Sequence, residues 1–384
     1  MKINYKNYQN EIVKIRRHLH MYPETAFKEF KTTKFIKNYL EEIGYNVEAT
    51  GLTGCSTFLC VNKEFPTVVL RAEMDAVPIA EESGEEFSSK IPNAMHACGH
   101  DANMAVSLVL AKLAMETKDQ LSCNIRFVFE PAEEIGMGAA EMIKSGVLEN
   151  PKADAFIMIH FACKSSGGVE VNESVATAAI GRLEISIKGI SAHWAAAQKG
   201  KNAITAASKL ICRIEDINKT YTSPYPFIIG IGKISGGSSA NIVPDSALLN
   251  GNIRACTMED YNNICSLIQK AADDISESTG TKIEVSLSEN PITPIINDPF
   301  LVKKAADVGK KVYGESFYLT NKLYLAGDNA CLYFDKTRGI FMVFRSPMPN
   351  GSVSLHNPKF RLNEEEFYKS LEMLHTYLKE LYRP

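Results

Sequence analysis

The order in which apolar runs alternate with helical patterns constrains the fold of this chain most strongly. In the first part, short apolar runs such as residues 67–74 and 124–130 alternate with segments of helical spacing such as 104–117. Continuous apolar strands between helices are typical of a largely parallel sheet that helices cover on both faces. We therefore predict an α/β fold for this part.

After this part, the pattern changes to β-α-β-β-α-β, with predicted helices over 201–218 and 258–279. This order is the split βαβ motif, an α+β open-faced sandwich in which two helices pack on one sheet. The alternating α/β pattern then resumes. We therefore predict a first domain formed by residues 1–178 and 292–384, with a second domain, residues 179–291, inserted into it.

Composition and charge indicate which binding partners and which cellular location fit this chain. The 384-residue chain has 42 basic and 45 acidic side chains, so it offers no basic field for a phosphate backbone. Its first residues lack an apolar stretch of signal-peptide length, and no segment has about 18 consecutive apolar residues. The nine cysteines are odd in number and scattered, which fits reduced thiols. We predict a cytoplasmic protein that binds neither nucleic acid nor membrane.

One cysteine differs from the others because it lies in the segment MHACGHD, residues 95–101. This segment precedes a predicted helix at the edge of the sheet where open α/β folds bind ligands. Cys98 and His100 are two residues apart, so both side chains can point at one centre. A thiolate and an imidazole suit Zn²⁺ or a similar transition ion. The alternative is a structural loop with one buried histidine.

Two adjacent carboxylates, Glu133 and Glu134, follow the predicted strand 124–130, and we predict that they open a helix. Neighbouring glutamates on a surface helix are ordinary, but two carboxylates buried at a strand edge each need a partner. One carboxylate as a metal ligand and the other as a proton carrier for water would satisfy both. The pair therefore favours hydrolytic chemistry.

Two histidines stand at the ends of other predicted elements. His160 is placed near the end of the apolar strand 155–161, and His356 lies in a loop before the last helix. A lone histidine at the end of a buried strand is more often a core residue, and His356 is ambiguous by itself. Together, however, four separate strand or loop ends bring potential ligands to one rim of the sheet. We therefore predict a metal site at this rim.

These motifs resemble those of the metallopeptidase family that includes aminoacylases, hippurate hydrolase and the plant hydrolases of auxin conjugates with amino acids. The resemblance spans nearly the whole chain and includes RRHLHMYPETAFKEF, LRAEMDAVPI, MHACGHDA, FEPAEEIGMGA, GISAHWAA, SANIVPDSALLNGNIRA and LHNPKF. The combination of MHACGHD with PAEE is highly specific. The chain is thus identified as a member of this family.

The resemblance implies a role for each candidate residue. The implied ligands of two divalent ions, zinc or manganese, are Cys98, His100, Glu134, His160 and His356, with the Cys98 thiolate as the bridge. Glu133 would be the general base and acid. In the inserted domain, His193 would polarise the scissile carbonyl, while Asn241 and Arg254 would hold the carboxylate end of the substrate. Arg254 suits this role because a guanidinium pairs bidentately with a carboxylate.

The implied function is hydrolysis of the amide bond of N-acyl amino acids by metal-activated water, with Glu133 as the general base. The inserted domain would act as a lid and form a homodimer contact, so that His193 and Asn241 complete the site of a partner subunit. Two alternatives stay open. One is a dipeptidase or carboxypeptidase with the same site, and the other is a non-catalytic relative that binds a ligand.

The chain departs from the usual family pattern at several positions around the predicted site. Relatives usually have Asp where this chain has Glu73, and His where it has Asn103. They also usually have a proline near Ala197 or Gln198, and Gly-Ser-Glu-Asp in place of the Ala-Gly-Asp-Asn segment at 326–329. None of these departures removes a predicted metal ligand.

Overall fold

The structure is a computed structural model that describes residues 3–348 and 353–383. Contacts within the chain divide it into two units. The first unit comprises the described residues of 1–176, 296–322 and 329–384. The second unit comprises residues 177–295 together with the short segment 323–328.

Strands and helices alternate along the chain. The strands are β1 (Val47–Thr50), β2 (Gly54–Leu59), β3 (Thr67–Glu73), β4 (Asn124–Glu130), β5 (Ala155–Lys164), β6 (Gly168–Asn172), β7 (Ala179–Lys188), β8 (Ala192–His193), β9 (Phe227–Gly236), β10 (Ile242–Val243), β11 (Ser246–Ala255), β12 (Lys282–Leu287), β13 (Phe317–Thr320) and β14 (Gly339–Pro347). The α-helices are α1 (Gln9–Met21), α2 (Phe30–Glu42), α3 (His100–Glu116), α4 (Gly138–Lys144), α5 (Ala203–Thr220), α6 (Met258–Thr279), α7 (Pro299–Tyr313), α8 (Cys331–Phe334) and α9 (Phe367–Glu380).

The first unit is built on one mixed sheet with the strand order β1-β2-β4-β3-β5-β14-β6-β13. Its central strands β4, β3, β5 and β14 all pair in parallel, so their carboxyl ends meet at one edge. Every residue of β3 and β4 is buried, as expected for strands that are covered on both faces. The prediction of an α/β fold with a largely parallel sheet is confirmed.

Helix α3 is the central helix of the first unit. It packs against β3 and β5 of the sheet and also against α1 and α9, so nearly all of its residues are buried. By contrast, α1 buries an apolar stripe that contains Ile12, Ile15 and Leu19. Because α3 begins at His100, the sheet and its neighbouring helices fix the start of this helix next to the carboxyl ends of the central strands.

The second unit is a four-stranded antiparallel sheet, in the order β12-β7-β11-β9, on which α5 and α6 pack. Along β7, buried residues such as Leu183 and Ile185 alternate with exposed residues such as Arg182 and Glu184. One face of the strand therefore packs on the helices while the other stays open. The predicted open-faced sandwich is present, with the predicted β-α-β-β-α-β order.

Some strands of the first unit have no counterpart in the sequence prediction. The strands β6 and β13 are five and four residues long, too short to show a clear period. They form the edge of the sheet beyond β14, where β6 pairs antiparallel with β14. Among the described residues, no helix combines the length and apolarity that crossing a membrane requires.

We expect the Leu108→Ala substitution in α3 to lower the free energy of unfolding by about 2–5 kcal/mol, because it leaves a cavity at a fully buried position. Urea unfolding followed by circular dichroism would measure the change. The control is Leu52→Ala, which alters a leucine that is 69% exposed. Equal urea midpoints of unfolding for the two variants would contradict the contribution of α3 packing to stability.

Candidate active site

Cys98 and His100 lie where the chain leaves the loop after β3 and enters α3. Between them, Gly99 has a φ of +88°, a left-handed conformation that glycine adopts without strain. Both flanking side chains are buried. The Cys98 Sγ atom lies 3.5 Å from His160 Nε2, and the rings of His100 and His160 are 5.8 Å apart between centroids. These three side chains therefore form one buried group.

His160 reaches this group from within β5. The strand continues to Lys164 along β14, so the prediction that it ends near residue 161 is wrong. Its pairing with β3, however, stops at Met158. His160 therefore lies beyond the β3–β5 ladder, at the edge where the central strands separate.

The imidazole of His100 has one nitrogen engaged and one nitrogen available. Its Nδ1 lies 2.8 Å from the backbone carbonyl oxygen of Asp75, which can only accept, so Nδ1 carries the proton. Its Nε2 is buried and has no hydrogen-bond partner within residues 3–348 and 353–383. This nitrogen lies 3.8 Å from Glu133 Oε2 and 4.0 Å from Glu134 Oε1. A buried acceptor in this position fits a metal ligand whose orientation its carbonyl partner sets.

Glu133 and Glu134 lie in a turn after β4, and the prediction that they open a helix is wrong, since α4 begins only at Gly138. The cause is a tertiary contact that local sequence does not show. The Asp75 carboxylate accepts the backbone N–H groups of both glutamates, each at 3.0 Å. Burial raises the pKa of Asp75 to about 7, against the opposing effects of His100 and of the Glu134 amide.

His356 meets Glu134 from a separate loop. Its Nε2 lies 3.2 Å from Glu134 Oε2, and its backbone N–H donates to the Ala97 carbonyl at 2.9 Å. The second bond ties the His356 loop to the segment that carries Cys98. Burial opposes ionisation of Glu134, but the hydrogen bond from His356 and the electrostatic effect of the neighbouring His100 lower the pKa of this carboxyl to about 2.

The ligand atoms of these side chains form overlapping groups, within each of which all atoms lie within 4.8 Å of one another. The groups are Cys98 with His100 and His160, Cys98 with Glu134 and His356, and His100 with Glu133 and Glu134. Cys98 belongs to two of them, an arrangement that allows one sulfur to serve two ions. Burial and the neighbouring carboxylates raise the pKa of the Cys98 thiol. A cation in place of the proton would relieve this cost, so the residues present fit a transition metal site.

The remaining predicted site residues lie in the second unit. His193 ends β8 and pairs with Ile242 of β10, which directly follows Asn241. The Nδ1 atom of His193 accepts the backbone N–H of Ala195 at 3.1 Å. Asn241 Oδ1 accepts the Ser239 hydroxyl at 2.6 Å.

Arg254 lies on β11 of the same unit. Its Nη1 donates to the Leu325 carbonyl at 2.6 Å, and its Nε donates to Asn252 Oδ1 at 3.2 Å. These two bonds fix the direction of the guanidinium.

A buried network of charged residues lies behind the ligand cluster, and the sequence analysis does not predict it. Arg71 donates from Nε and Nη2 to the two oxygens of Glu130, each at 3.1 Å, and from Nη1 to Glu73. Its Nη2 also donates to Asn329 Oδ1 at 2.9 Å. The signal in the sequence is the pair of charges, Arg71 and Glu73, within the apolar run of β3, because fully buried charges almost always have partners.

Within this network, Glu73 stays ionised. Burial alone would raise the pKa of its carboxyl, but the Arg71 guanidinium and the imidazoles of His100 and His160 hold that pKa below its usual value. The network therefore places a fixed negative charge close to two of the potential metal ligands.

The chain is similar to known proteins over most of its length. The model of "Peptidase family M20/M25/M40" matches residues 69–380. N-acetyl-L-cysteine deacetylase from Bacillus subtilis (strain 168) is 33% identical, over 99% of this chain and 90% of that protein. IAA-amino acid hydrolase ILR1-like 2 from Arabidopsis thaliana is 30% identical, over 92% of this chain and 81% of that protein. A solved structure from Bacillus subtilis, a dinuclear metal-binding peptidase of the M20 family, is 26% identical with a TM-score of 0.84, and the match covers 97% of this chain and 98% of that one.

The protein is therefore a metal-dependent hydrolase of amide bonds. More particularly, the chain belongs to the peptidase family M20/M25/M40. The predictions of the family, of an enzyme and of a metal-dependent amidohydrolase are confirmed.

We expect the Asp75→Ala substitution to weaken Zn²⁺ binding by about 10- to 100-fold, because it removes the acceptor that holds the backbone of both glutamates. Competition with a chelating indicator would measure the dissociation constant. Glu82→Ala, at an exposed carboxylate in the same unit, is the control. An unchanged affinity in folded Asp75→Ala protein would contradict the supporting role of this carboxylate.

Proposed function

We propose that the chain hydrolyses N-acyl amino acids, with two divalent ions, zinc or manganese, bound by the following side chains: Cys98, His100, Glu134, His160 and His356. The observation that carries this proposal is the convergence of these five side chains with Glu133 beside them. The names of the two relatives support the substrate class, since N-acetyl-L-cysteine and IAA-amino acids are both acylated amino acids.

In this proposal, bound divalent ions would acidify water and polarise the acyl carbonyl. A carboxylate oxygen of Glu133 would take a proton from the attacking water and later give it to the departing amine nitrogen. Asp75 would keep this carboxylate in place, because it holds the backbone N–H groups of Glu133 and Glu134. Positioning of this kind converts a weak base into an effective one.

His193 would stabilise the negative charge that develops on the acyl oxygen. Because Nδ1 accepts a hydrogen bond from the Ala195 amide, the neutral imidazole carries its proton on Nε2. That N–H would be the donor to the oxygen. Arg254 would pair with the carboxylate of the amino acid, and Asn241 would contribute an amide hydrogen bond to the same end of the substrate.

The proposal includes an assembly and a location. We propose a homodimer through the second unit, which would act as a lid and bring His193 and Asn241 to the site of a partner subunit, in the cytoplasm. Strand β9 supports the dimer, because it is an edge strand with Ile228 and Ile234 about half exposed. The solution mass from light scattering tests it, and a single-chain mass at micromolar concentration would contradict it.

We expect the Glu133→Gln substitution to lower kcat by about 100- to 10,000-fold, because it removes the proton carrier but keeps the shape of the side chain. Metal content and substrate affinity should change little. The assay would follow release of amino acid from N-acetyl and N-benzoyl amino acids with Zn²⁺ or Mn²⁺. Glu149→Gln, at an exposed glutamate, is the control. Equal kcat values for wild type and Glu133→Gln would rule out this mechanism.

The choice between an N-acyl amino acid hydrolase and a dipeptidase or carboxypeptidase depends on both ends of the substrate. We expect faster turnover of N-acylated amino acids than of free dipeptides. We also expect Arg254→Met to lower kcat/KM by about 10- to 100-fold for substrates with a free carboxylate, through loss of a charge-assisted hydrogen bond.

Turnover of the corresponding carboxamide substrates should respond much less to Arg254→Met, because they lack the negative charge. Arg182→Met, at an exposed arginine of the same unit, is the control. If Arg254→Met lowered turnover of acids and carboxamides equally, Arg254 would not be the carboxylate-binding residue. Faster turnover of free dipeptides would favour the peptidase alternative.

A further inference from the structure

We propose that Asn103 is a positioning residue that couples the buried Glu73 carboxylate to the strand end that presents His160. The proposal rests on the proposed function, because it takes His160 as a metal ligand. Asn103 lies in the first turn of α3, three residues after His100, and it is fully buried. Its side chain therefore lies between the network behind the site and the ligands themselves.

The amide of Asn103 makes a hydrogen bond in each direction. Its Nδ2 donates to Glu73 Oε2 at 2.7 Å, and its Oδ1 accepts the backbone N–H of Phe161 at 3.2 Å. Phe161 directly follows His160 on β5, beyond the point where the ladder between β5 and β3 ends. A buried backbone N–H in that position needs an acceptor from elsewhere, and Asn103 supplies it.

The other end of this chain of contacts is rigid. Glu73 receives the Arg71 guanidinium on its second carboxylate oxygen, and Arg71 is held in turn by the two oxygens of Glu130. All three of these side chains are fully buried. Movement of Glu73 is therefore strongly restricted, and Asn103 transmits that restriction to the backbone of β5.

This restraint on the β5 backbone fixes the position of His160 relative to the other potential ligands. The Cys98 Sγ atom lies 3.5 Å from His160 Nε2, so a small displacement of the β5 backbone changes the distance between two potential ligands. Metal ligands must be held to within about 0.5 Å of their productive geometry, and neighbouring hydrogen bonds supply that restraint. The Asn103 amide is such a restraint for His160, in the way that the Asp75 carbonyl is for His100.

Glu73 and Asn103 contact each other, so the length of one side chain sets the space that the other must fill. Replacing Glu73 by aspartate would withdraw the carboxylate by about one carbon–carbon bond and break the 2.7 Å contact. A histidine at 103 is longer and could span that gap, but beside Glu73 it would be crowded in a fully packed interior. We therefore expect the site to tolerate aspartate at position 73 and histidine at position 103 only when both substitutions are present.

The experiment measures Co²⁺ binding, by the dissociation constant and by the thiolate and d–d absorption bands. We expect Asn103→Leu, which keeps the size but loses both hydrogen bonds, to weaken Co²⁺ binding by about 10- to 100-fold and to alter the d–d bands. His160→Ala is the reference for loss of the ligand itself. Asn262→Leu, at an exposed asparagine of α6, is the control that should bind Co²⁺ like wild type.

A double-mutant cycle provides the second test, on Co²⁺ affinity and on thermal unfolding of the metal-free protein. Glu73→Asp and Asn103→His should each lower the Co²⁺ affinity and the unfolding temperature. The double variant should bind Co²⁺ more tightly and unfold at a higher temperature than either single variant. Effects on Co²⁺ affinity that multiply to within about twofold would show independent positions and overturn the coupling. If Asn103→Leu does not fold, this cycle decides.

The outcomes separate this proposal from the proposed function. If His160→Ala weakens Co²⁺ binding while Asn103→Leu leaves both affinity and absorption bands unchanged, the metal site stands and the positioning role is overturned. If His160→Ala also leaves Co²⁺ binding unchanged, the proposed ligand set fails and the positioning role fails with it. Weaker binding in both variants, with altered d–d bands for Asn103→Leu, supports both.

Discussion

Burial of negative charge at the carboxyl ends of β3 and β4 is the constraint on which the site depends. Glu73, Asp75 and Glu130 are fully buried, and Glu134 is largely buried. A buried carboxylate is tolerated only with compensating donors or cations. Arg71 compensates Glu73 and Glu130, and two backbone amides compensate Asp75. Glu134 has the half-exposed His356 as its ion-pair partner, and the ligand atoms around it are those to which a divalent cation would bind.

The parallel sheet brings these buried carboxylates and the potential metal ligands together at one edge. Because β4, β3 and β5 run in the same direction, residues that are far apart in the chain reach the same edge. Glu73 and Glu130 are direct neighbours in the β3–β4 register. Helix α3 then begins at this edge, so that its first turn contributes both a potential ligand, His100, and the amide of Asn103 that secures the end of β5. Helix α3 therefore both packs in the apolar core and sets the positions of His100 and His160.

Much of the architecture could be predicted from local patterns, while several features of the site depend on tertiary contacts. The bounds of β4 and α6 agree with the predicted 124–130 and 258–279, since both segments have a strong period and clear breaks. The turn that holds Glu133 could not be predicted, because it depends on Asp75, which is 58 positions earlier in the chain. The segment 323–328 likewise joins the second unit through contacts such as Ala178 N–H to the Ala326 carbonyl, and no local pattern indicates them.

The two units carry different parts of the proposed chemistry. All proposed metal ligands and Glu133 belong to the first unit, whereas His193, Asn241 and Arg254 belong to the second. In the first unit, Glu73 and Asn103 share a hydrogen bond next to the ligands. In the second unit, the carbonyl of Leu325, in the segment 323–328, holds the Arg254 guanidinium. Substitutions in that segment can therefore redirect the proposed carboxylate-binding residue while the metal ligands stay in place, which would let substrate choice change without a change in the reaction.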